Sequence, residues 1–397
     1  MPSSAAQNRG TGSRRLRFVV VSLLFAAAVE AQASQSASDI APAKAQVSNS
    51  IRPIFAFKGA MPTGITVSED GRFFVNFPRW GDEVPYTVGE IRGQNVVPYP
   101  DLTINQQDLA NPGQGLISVQ SVVADQRGSL WILDTAAPGL GQPIPGGAKL
   151  VQVDLKTNKV VRRLVLPASA VLPTTYLNDV RFDFHAGSAG YAYITDSASR
   201  GPAALIVVDL ASGDAWRRLS GHVSVQPDPD FVPQLEGQAL MLRLPGKTPS
   251  RFAVGADGIA LSKDGATLYY SPLSSRHLFS VPTKLLRDRS LADGEIATAV
   301  QDLGEKGASD GIEADSLGRI YATDYEQGSI RRRDAAGHWT TLARDPRIQW
   351  PDTLALHGGW LYFTANQLHR QALFHDGKDE RVKPYMLYGL QLDDPAL

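Results

Sequence analysis

Asp310-Gly311-Ile312-Glu313-Ala314-Asp315, then Gly318-Arg319-Ile320-Tyr321, is the stretch whose pattern decides the fold. A short apolar strand runs into a glycine turn and an aromatic-rich strand leaves it, which is how a β-hairpin reads in sequence. Outward in both directions the unit recurs: from Thr63 with a turn at Asp70-Gly71, from Gln120 with Gly128, from Asn178 with Gly190, from Asp257 with Asp264-Gly265, and from Asp352 with Gly358-Gly359. First residues of successive units lie 57, 58, 79, 53 and 42 positions apart. Further β-rich runs closed by turn residues fill the intervals, such as residues 150–155 before Thr157-Asn158 and 205–210 before Ser212-Gly213. Each interval holds about four short strands, which cannot bury both faces alone, so the units must stack on one another. Radial stacking predicts an all-β, six-bladed β-propeller with only short open edges. A two-sheet sandwich is the competing architecture, but it has no need of six copies of one hairpin.

The 397-residue chain carries 39 Lys+Arg against 40 Asp+Glu, a net charge of −1. It therefore lacks the basic excess that a nucleic-acid partner requires. With no cysteine, a disulfide scaffold, thiolate metal sites and a cysteine nucleophile are excluded. Arg9, Arg14, Arg15 and Arg17 precede an apolar run from Phe18 to Val29, and Ala31-Gln32-Ala33 places small residues where a signal peptidase reads them. Residues 1–33 thus read as an export signal cut after Ala33, and a secreted or periplasmic protein is expected. The apolar run is well short of the roughly 20 residues of a membrane span, so none is expected. Residues 34–50 lack bulky apolar side chains and read as a disordered lead-in, leaving 51–397 as a single propeller. Pro227, Pro229, Pro233 and Pro249 fall in the longest interval, so residues 219–254 are expected to form an insertion over one face. Pro282 to Arg289 is the stretch expected to be helical, and Arg331-Arg332-Arg333 reads as a charged outer strand edge.

In a propeller the innermost strand of every blade runs along the axis, so Thr63, Gln120, Asn178, Asp257, Asp310 and Asp352 should form one ring at the head of those strands. All are polar, which is what a ligand pocket in an otherwise apolar architecture requires. Carboxylates held that close raise one another's pKa or capture a cation. Turn chemistry explains Asp257 and Asp310 equally well, because each precedes glycine; it explains Asp352 and Asn178 less well. Other constellations fail. No Gly-x-Ser-x-Gly or His-Glu-x-x-His is present, Met241 stands where a phosphate loop ending in Gly246-Lys247-Thr248 needs glycine, and the seven histidines lie at non-ligand spacings.

Phe77-Pro78-Arg79-Trp80, Val84-Pro85-Tyr86-Thr87, Pro98-Tyr99-Pro100, Leu130-Trp131-Ile132-Leu133-Asp134, Tyr176-Leu177-Asn178-Asp179, Trp350-Pro351-Asp352 and Tyr362-Phe363-Thr364-Ala365-Asn366 together resemble the Yellow/major royal jelly protein family, from about residue 53 to 388. The resemblance implies a six-bladed propeller. It also implies dopachrome conversion or the binding of biogenic amines in a central tunnel; bacterial members are described as dopachrome tautomerase-related. The absence of cysteine departs from the insect pattern. A more distant similarity to gluconolactonase/regucalcin propellers implies a calcium or zinc ion held by a Glu, an Asn and an Asp. Asp310 matches the Asp, Asp257 occupies the Asn position and Asn178-Asp179 matches the substrate element, but Pro62-Thr63-Gly64 stands where the Glu belongs.

Three functions follow, each with a small-molecule partner. The first is an exported enzyme that moves a proton on a small cyclic, aromatic or catechol-derived substrate, with Asp310 or Asp352 as base and Asn178 or Gln120 donating to the developing oxyanion. The second is a lactone hydrolase in which a divalent cation on Asp257 and Asp310 activates water. The third is a binding protein without turnover, its carboxylates pairing with an amine and Trp350 or Tyr176 supplying a cation–π face. The resemblance favours the first and third, and the missing Glu weighs against the second.

Overall fold

The computed structural model describes residues 50–393, so the export signal expected in residues 1–33 and the lead-in up to residue 49 lie outside the described residues. The described residues form six four-stranded antiparallel sheets and two two-stranded ribbons. Blade 1 comprises Ile65–Val67, Phe73–Asn76, Val88–Arg92 and Asn95–Pro98. Blade 2 comprises Val119–Ala124, Ser129–Asp134, Lys149–Asp154 and Lys159–Val165, and blade 3 Leu177–Asp183, Tyr191–Asp196, Ala204–Asp209 and Ala215–Arg218. In blade 4 the strands are Ala256–Leu261, Thr267–Pro272, His277–Pro282 and Gln301–Glu305; in blade 5, Ile312–Ala314, Ile320–Asp324, Ser329–Arg333 and Trp339–Arg344. Blade 6 takes Pro351–His357, Trp360–Ala365 and Tyr385–Gln391 from the end of the chain and its outer strand, Ile51–Phe57, from the beginning. The first strand of each blade touches that of the next, and blade 6 returns to blade 1, which closes the ring.

Depth within a blade is written in its residue pattern. The first strand of blade 2, Val-Gln-Ser-Val-Val-Ala, is buried along almost its whole length, whereas its fourth, Lys-Val-Val-Arg-Arg-Leu-Val, alternates between exposed and covered positions. Strands covered on both faces read as continuous apolar runs and strands at a wet edge alternate. The core is accordingly divided into layers between blades. Trp131, Leu133 and Leu150 of blade 2 pack on Val180, Ile194 and Ile206 of blade 3, and Tyr193, Leu205 and Val207 continue into Ile259, Leu268 and Tyr270 of blade 4. Pro53 is tolerated in Ile51–Phe57 because that strand is an outer edge with a bulge at this point.

Two expectations are corrected in detail. Within Pro282–Arg289 the helix covers Thr283–Arg287, because Pro282 completes a strand, and further short helices occur at Leu102–Asn105 and Asp293–Ala297. Arg331-Arg332-Arg333 lies on the third strand of blade 5 rather than on an edge, paired on both sides, with Arg331 over the Trp339 ring, 5.4 Å from its centroid. The insertion carries the ribbons Gln234–Leu235/Gln238–Ala239 and Met241–Leu242/Ser250–Arg251, and its Phe231, Leu235 and Leu240 pack with Phe57, Met61 and Trp350.

Adjacent first strands approach so closely at the axis that two of the Asp-Gly pairs are packing devices rather than turns. A Cβ on Gly258 would lie 2.4 Å from the Asp310 carbonyl oxygen, and one on Gly311 2.3 Å from that of Asp352. Gly258→Ala and Gly311→Ala are each expected to destabilise the protein by about 1–3 kcal/mol in chemical denaturation, whereas Gly59→Ala, where a Cβ meets nothing, should stay within about 0.5 kcal/mol of the parent.

Candidate functional site

Four first strands carry a register shift at their head: between Val119 and Ser121, Leu177 and Val180, Ala256 and Ile259, and Pro351 and Leu354. An extra residue in one strand re-aims side chains, and the bulged residues are Gln120, Asn178-Asp179, Asp257-Gly258 and Asp352-Thr353. The backbone beneath them is stitched from blade to blade. Asn76 Nδ2 donates to the carbonyls of Val119 and Gln120 at 3.1 and 3.0 Å, Thr195 Oγ1 to that of Asp257 at 2.7 Å, and Thr364 Oγ1 to that of Thr63 at 2.8 Å. Buried Asp134 and Asp196 end the second strands of blades 2 and 3 and accept the backbone N–H groups of Ile117, Ser118 and Tyr176, which anchors the segments leading into the ring. Lys149 and Arg217 neutralise them at 2.7 and 2.8 Å.

Asp179, Asp257, Asp310 and Asp352 are all buried and influence one another electrostatically. Asn178 Nδ2 donates to Asp257 Oδ2 at 2.5 Å and to Ser197 Oγ at 2.9 Å, so both its N–H bonds are spent on holding the ring. Asn366 Nδ2 holds Asp352 at 2.6 Å. Tyr176 donates to Gln120 Oε1 at 3.0 Å while accepting from Trp80 Nε1 at 2.8 Å. Thr63 is wholly buried and its hydroxyl accepts from Asn76 at 2.8 Å.

Trp350, expected to offer an aromatic face to a ligand, has 0% exposure. It stacks on Tyr325 at 4.2 Å and donates Nε1 to Asp310 Oδ2 at 2.7 Å. Its φ of 52° is left-handed, a region bulky residues rarely adopt, and the stack and hydrogen bond hold it there. Trp350 therefore positions a carboxylate; the exposed aromatic walls come from other residues.

Burial raises the Asp257 and Asp352 carboxyls well above the ordinary range, and the neighbouring Asp310 charge adds to the effect. Burial pushes Asp310 up to about 7 although Trp350 and a hydrogen bond with Asp257 pull the other way. Buried Lys306, bonded to the Gly307 carbonyl at 3.0 Å, is brought down to about 7 by burial, against the attraction of Asp324, Asp257 and Asp310. Asp257 and Asp310 thus share a buried site that favours the protonated form of each carboxyl.

Over this ring lies a cavity of about 370 Å³. Asp257, Asn178, Tyr176 and Ser197 line it from the ring, Trp80 and Phe374 from the loops, and Arg251 and Phe252 from the insertion. Further down the channel Arg181 reaches from blade 3 across to blade 5, donating to the Ile312 carbonyl at 3.0 Å and pairing with Glu313 at 3.2 Å. A second hollow of about 330 Å³ opens around Arg181, Phe182 and Leu354. Trp80, Ser197, Asn366, Lys306 and Arg251 carried no signal in the repeat pattern; each acts from a second strand or a loop.

The divalent cation implied by the lactonase-like resemblance finds a poor donor set. Thr63 replaces the Glu, N–H donors of Asn178 and Trp350 face the Asp257 and Asp310 carboxylates, and among the described residues no three His, Cys, Asp or Glu side chains are grouped to hold a metal.

The sequence model of the family described as "Major royal jelly protein" matches residues 117–394. Protein yellow of Drosophila pseudoobscura pseudoobscura is 29% identical over 297 residues, covering 71% of this chain and 50% of its own length. Protein yellow of Drosophila melanogaster is 29% identical over 303 residues, covering 71% and 51%. The chain thus spans about half the length of the curated relatives it matches. A solved luciferin-regenerating enzyme superposes with a TM-score of 0.52 at 12% identity over 86% of this chain and 94% of that one, which supports the propeller fold.

A carboxyl whose folded pKa lies above its ordinary value binds its proton more tightly in the native state, so the stability it contributes is complete below about pH 4 and is lost as pH rises through about 7. Asp310→Asn, which keeps an acceptor for Trp350, is expected to lessen the fall in melting temperature between about pH 5 and 8; parallel curves for the two proteins would refute this assignment.

Proposed function

The chain belongs to the major royal jelly protein family, and on that premise we propose that it takes a small cyclic, aromatic molecule into the cavity over the aspartate ring and shifts a proton on it, as a tautomerase does. The observation that carries this reading is the group of buried carboxyls Asp257, Asp310 and Asp352, which act on one another through their charges, with Asp257 lining a cavity walled by Trp80, Phe252 and Phe374. General acid–base catalysis works best when the catalytic pKa lies near the operating pH, which is where burial puts Asp310.

Asp257 lines the cavity and meets the ligand. In its ionised form the pair removes a proton from a carbon beside a carbonyl-like centre; the pair then returns that proton to another atom of the same molecule. No electron is gained or lost, so no second reactant enters. Asp310 stores the shared proton behind Asp257, and Asp352 acts on the pair through its charge. Gln120, through Tyr176, and Asn178 fix the polar floor, while flat aromatic walls orient a flat ligand. Residues 1–33 act as the export signal in this proposal, and the exported protein is expected to begin at Ser34 when its N-terminus is sequenced; an N-terminus at Met1 would refute export by cleavage.

Dopachrome, the substrate the family resemblance implies, is the first probe. Its loss, followed spectrophotometrically, is expected to slow by about 10²–10⁴-fold in Asp257→Asn and to be impaired in Asp310→Asn. Full turnover in a doubly substituted Asp310→Asn, Asp352→Asn protein would rule out proton storage on Asp310 and the charge of Asp352 as parts of the reaction. Calorimetric binding of serotonin or dopamine without turnover of dopachrome would assign the ring to amine retention instead.

A further inference from the structure

We propose that the Tyr176 hydroxyl is the donor that stabilises the developing oxyanion in this cavity, which makes it a catalytic residue, and that Trp80 is its positioning residue. The inference rests on the proton-shifting reading of the site. When a proton leaves a carbon beside a carbonyl-like centre, negative charge collects on the oxygen, and a fixed donor there lowers the barrier. The repeat pattern points to Asn178 or Gln120 for that donor, yet neither presents one to the cavity. Asn178 spends both N–H bonds on Asp257 and Ser197, at 2.5 and 2.9 Å. Gln120 lies behind Tyr176 rather than on the cavity wall and turns its Oε1 toward it. Ser197 and Thr175, also on the ring side, give their hydroxyl hydrogens to the Ala256 carbonyl at 2.7 Å and to Asp196 at 2.9 Å.

Tyr176 differs. It lines the same cavity as Asp257, close enough for the charge of one to be felt by the other. Its backbone N–H is held by Asp196 at 2.9 Å and its carbonyl by the Ser197 N–H at 2.8 Å, so the ring is fixed in place. The hydroxyl accepts from Trp80 Nε1 at 2.8 Å and donates to Gln120 at 3.0 Å. A phenol O–H turns about its C–O bond, so the hydrogen can leave Gln120 for a ligand oxygen without movement of the ring. The Trp80 N–H draws electron density from the phenolic oxygen and strengthens it as a donor. Burial raises the Tyr176 phenol well above its ordinary value, so the group lends a hydrogen bond and keeps its proton. A neutral carbonyl on the bound ligand offers this hydrogen no more than Gln120 already does. An oxyanion makes a charge-assisted bond, roughly twice as strong. The bond to the ligand is therefore gained in the transition state, the differential binding that raises kcat without tightening KM.

Tyr176→Phe, which keeps the ring beside Trp80, is expected to lower kcat for dopachrome by about 10²–10³-fold with KM little changed. Trp80→Phe, which removes the N–H and keeps an aromatic wall, is expected to lower kcat by about tenfold, again more in kcat than in KM. Unchanged kcat in Tyr176→Phe, or a loss carried by KM, would overturn this inference and leave the cavity reading intact. A second arm needs no turnover: calorimetric binding of 2,4-dinitrophenolate against 2,4-dinitrotoluene, one-ring molecules alike in shape, to the full chain at about pH 6, where burial keeps the ring carboxyls protonated. The parent is expected to bind the phenolate about tenfold tighter, and Tyr176→Phe to erase that preference while the toluene binds as before. Equal binding of the two by the parent would overturn the inference. Should Tyr176→Phe not fold, Trp80→Phe and the parent decide, the preference shrinking in Trp80→Phe. Absence of dopachrome turnover in the parent would overturn the proton-shifting reading, and the phenolate arm alone then decides whether Tyr176 receives an oxyanion. Binding of neither probe would overturn both.

Discussion

Carboxyl groups from distant parts of a chain share one small space only if the strands that carry them are pressed together at an axis, and that pressing is done by backbone. Gly258 and Gly311 leave no room for a Cβ between neighbouring first strands, and hydroxyl and amide side chains of the second strands, Thr195, Thr364 and Asn76, tie those strands to the next blade's carbonyls. Close approach and polar stitching act together. The glycines permit the contact, and the bonds satisfy backbone groups that would otherwise be buried without partners. In four of the six blades a bulge then turns the head of the first strand inward, and Asn178-Asp179, Asp257 and Asp352 follow.

How much of this was legible in sequence depends on the kind of interaction. Hairpin units repeat because each blade solves the same packing problem, so the propeller and the positions of Gln120, Asn178, Asp257, Asp310 and Asp352 could be read from periodicity. Asp-Gly is ambiguous in one dimension: Gly265, at φ 72°, is a turn residue, whereas Gly258 is a packing residue. Burial of a large aromatic is equally hidden. Trp350 sits next to a ring residue and looked like a ligand face, but its indole N–H is committed to Asp310 and its ring to Tyr325. Arg251 and Trp80 reach the cavity from loops without repeat counterparts, where spacing gives no signal and only the fold reveals what they border.

The electrostatics of the site follow from the same construction. Bringing carboxyls together away from water raises their affinity for protons, and the protein offsets this with fixed donors: Asn178 for Asp257, Trp350 for Asp310 and Asn366 for Asp352. Each aspartate thus has its own neutral anchor, while the charged partners Lys149 and Arg217 are reserved for the corner aspartates Asp134 and Asp196. One set of carboxylates is tied down by cations and serves the scaffold. The other is left able to change its protonation state.

The outer strand of blade 6, Ile51–Phe57, pairs with Tyr385–Gln391, so the earliest-made strand of the propeller waits for the last. During synthesis the nascent chain holds an incomplete sheet whose partner has not yet left the ribosome, and an unpaired edge of that kind invites association with other chains. Every intervening blade must be in place before this seam can zip. Damage at either terminus of the propeller is therefore felt at the seam, and a truncated product would present an adhesive border instead of a finished ring.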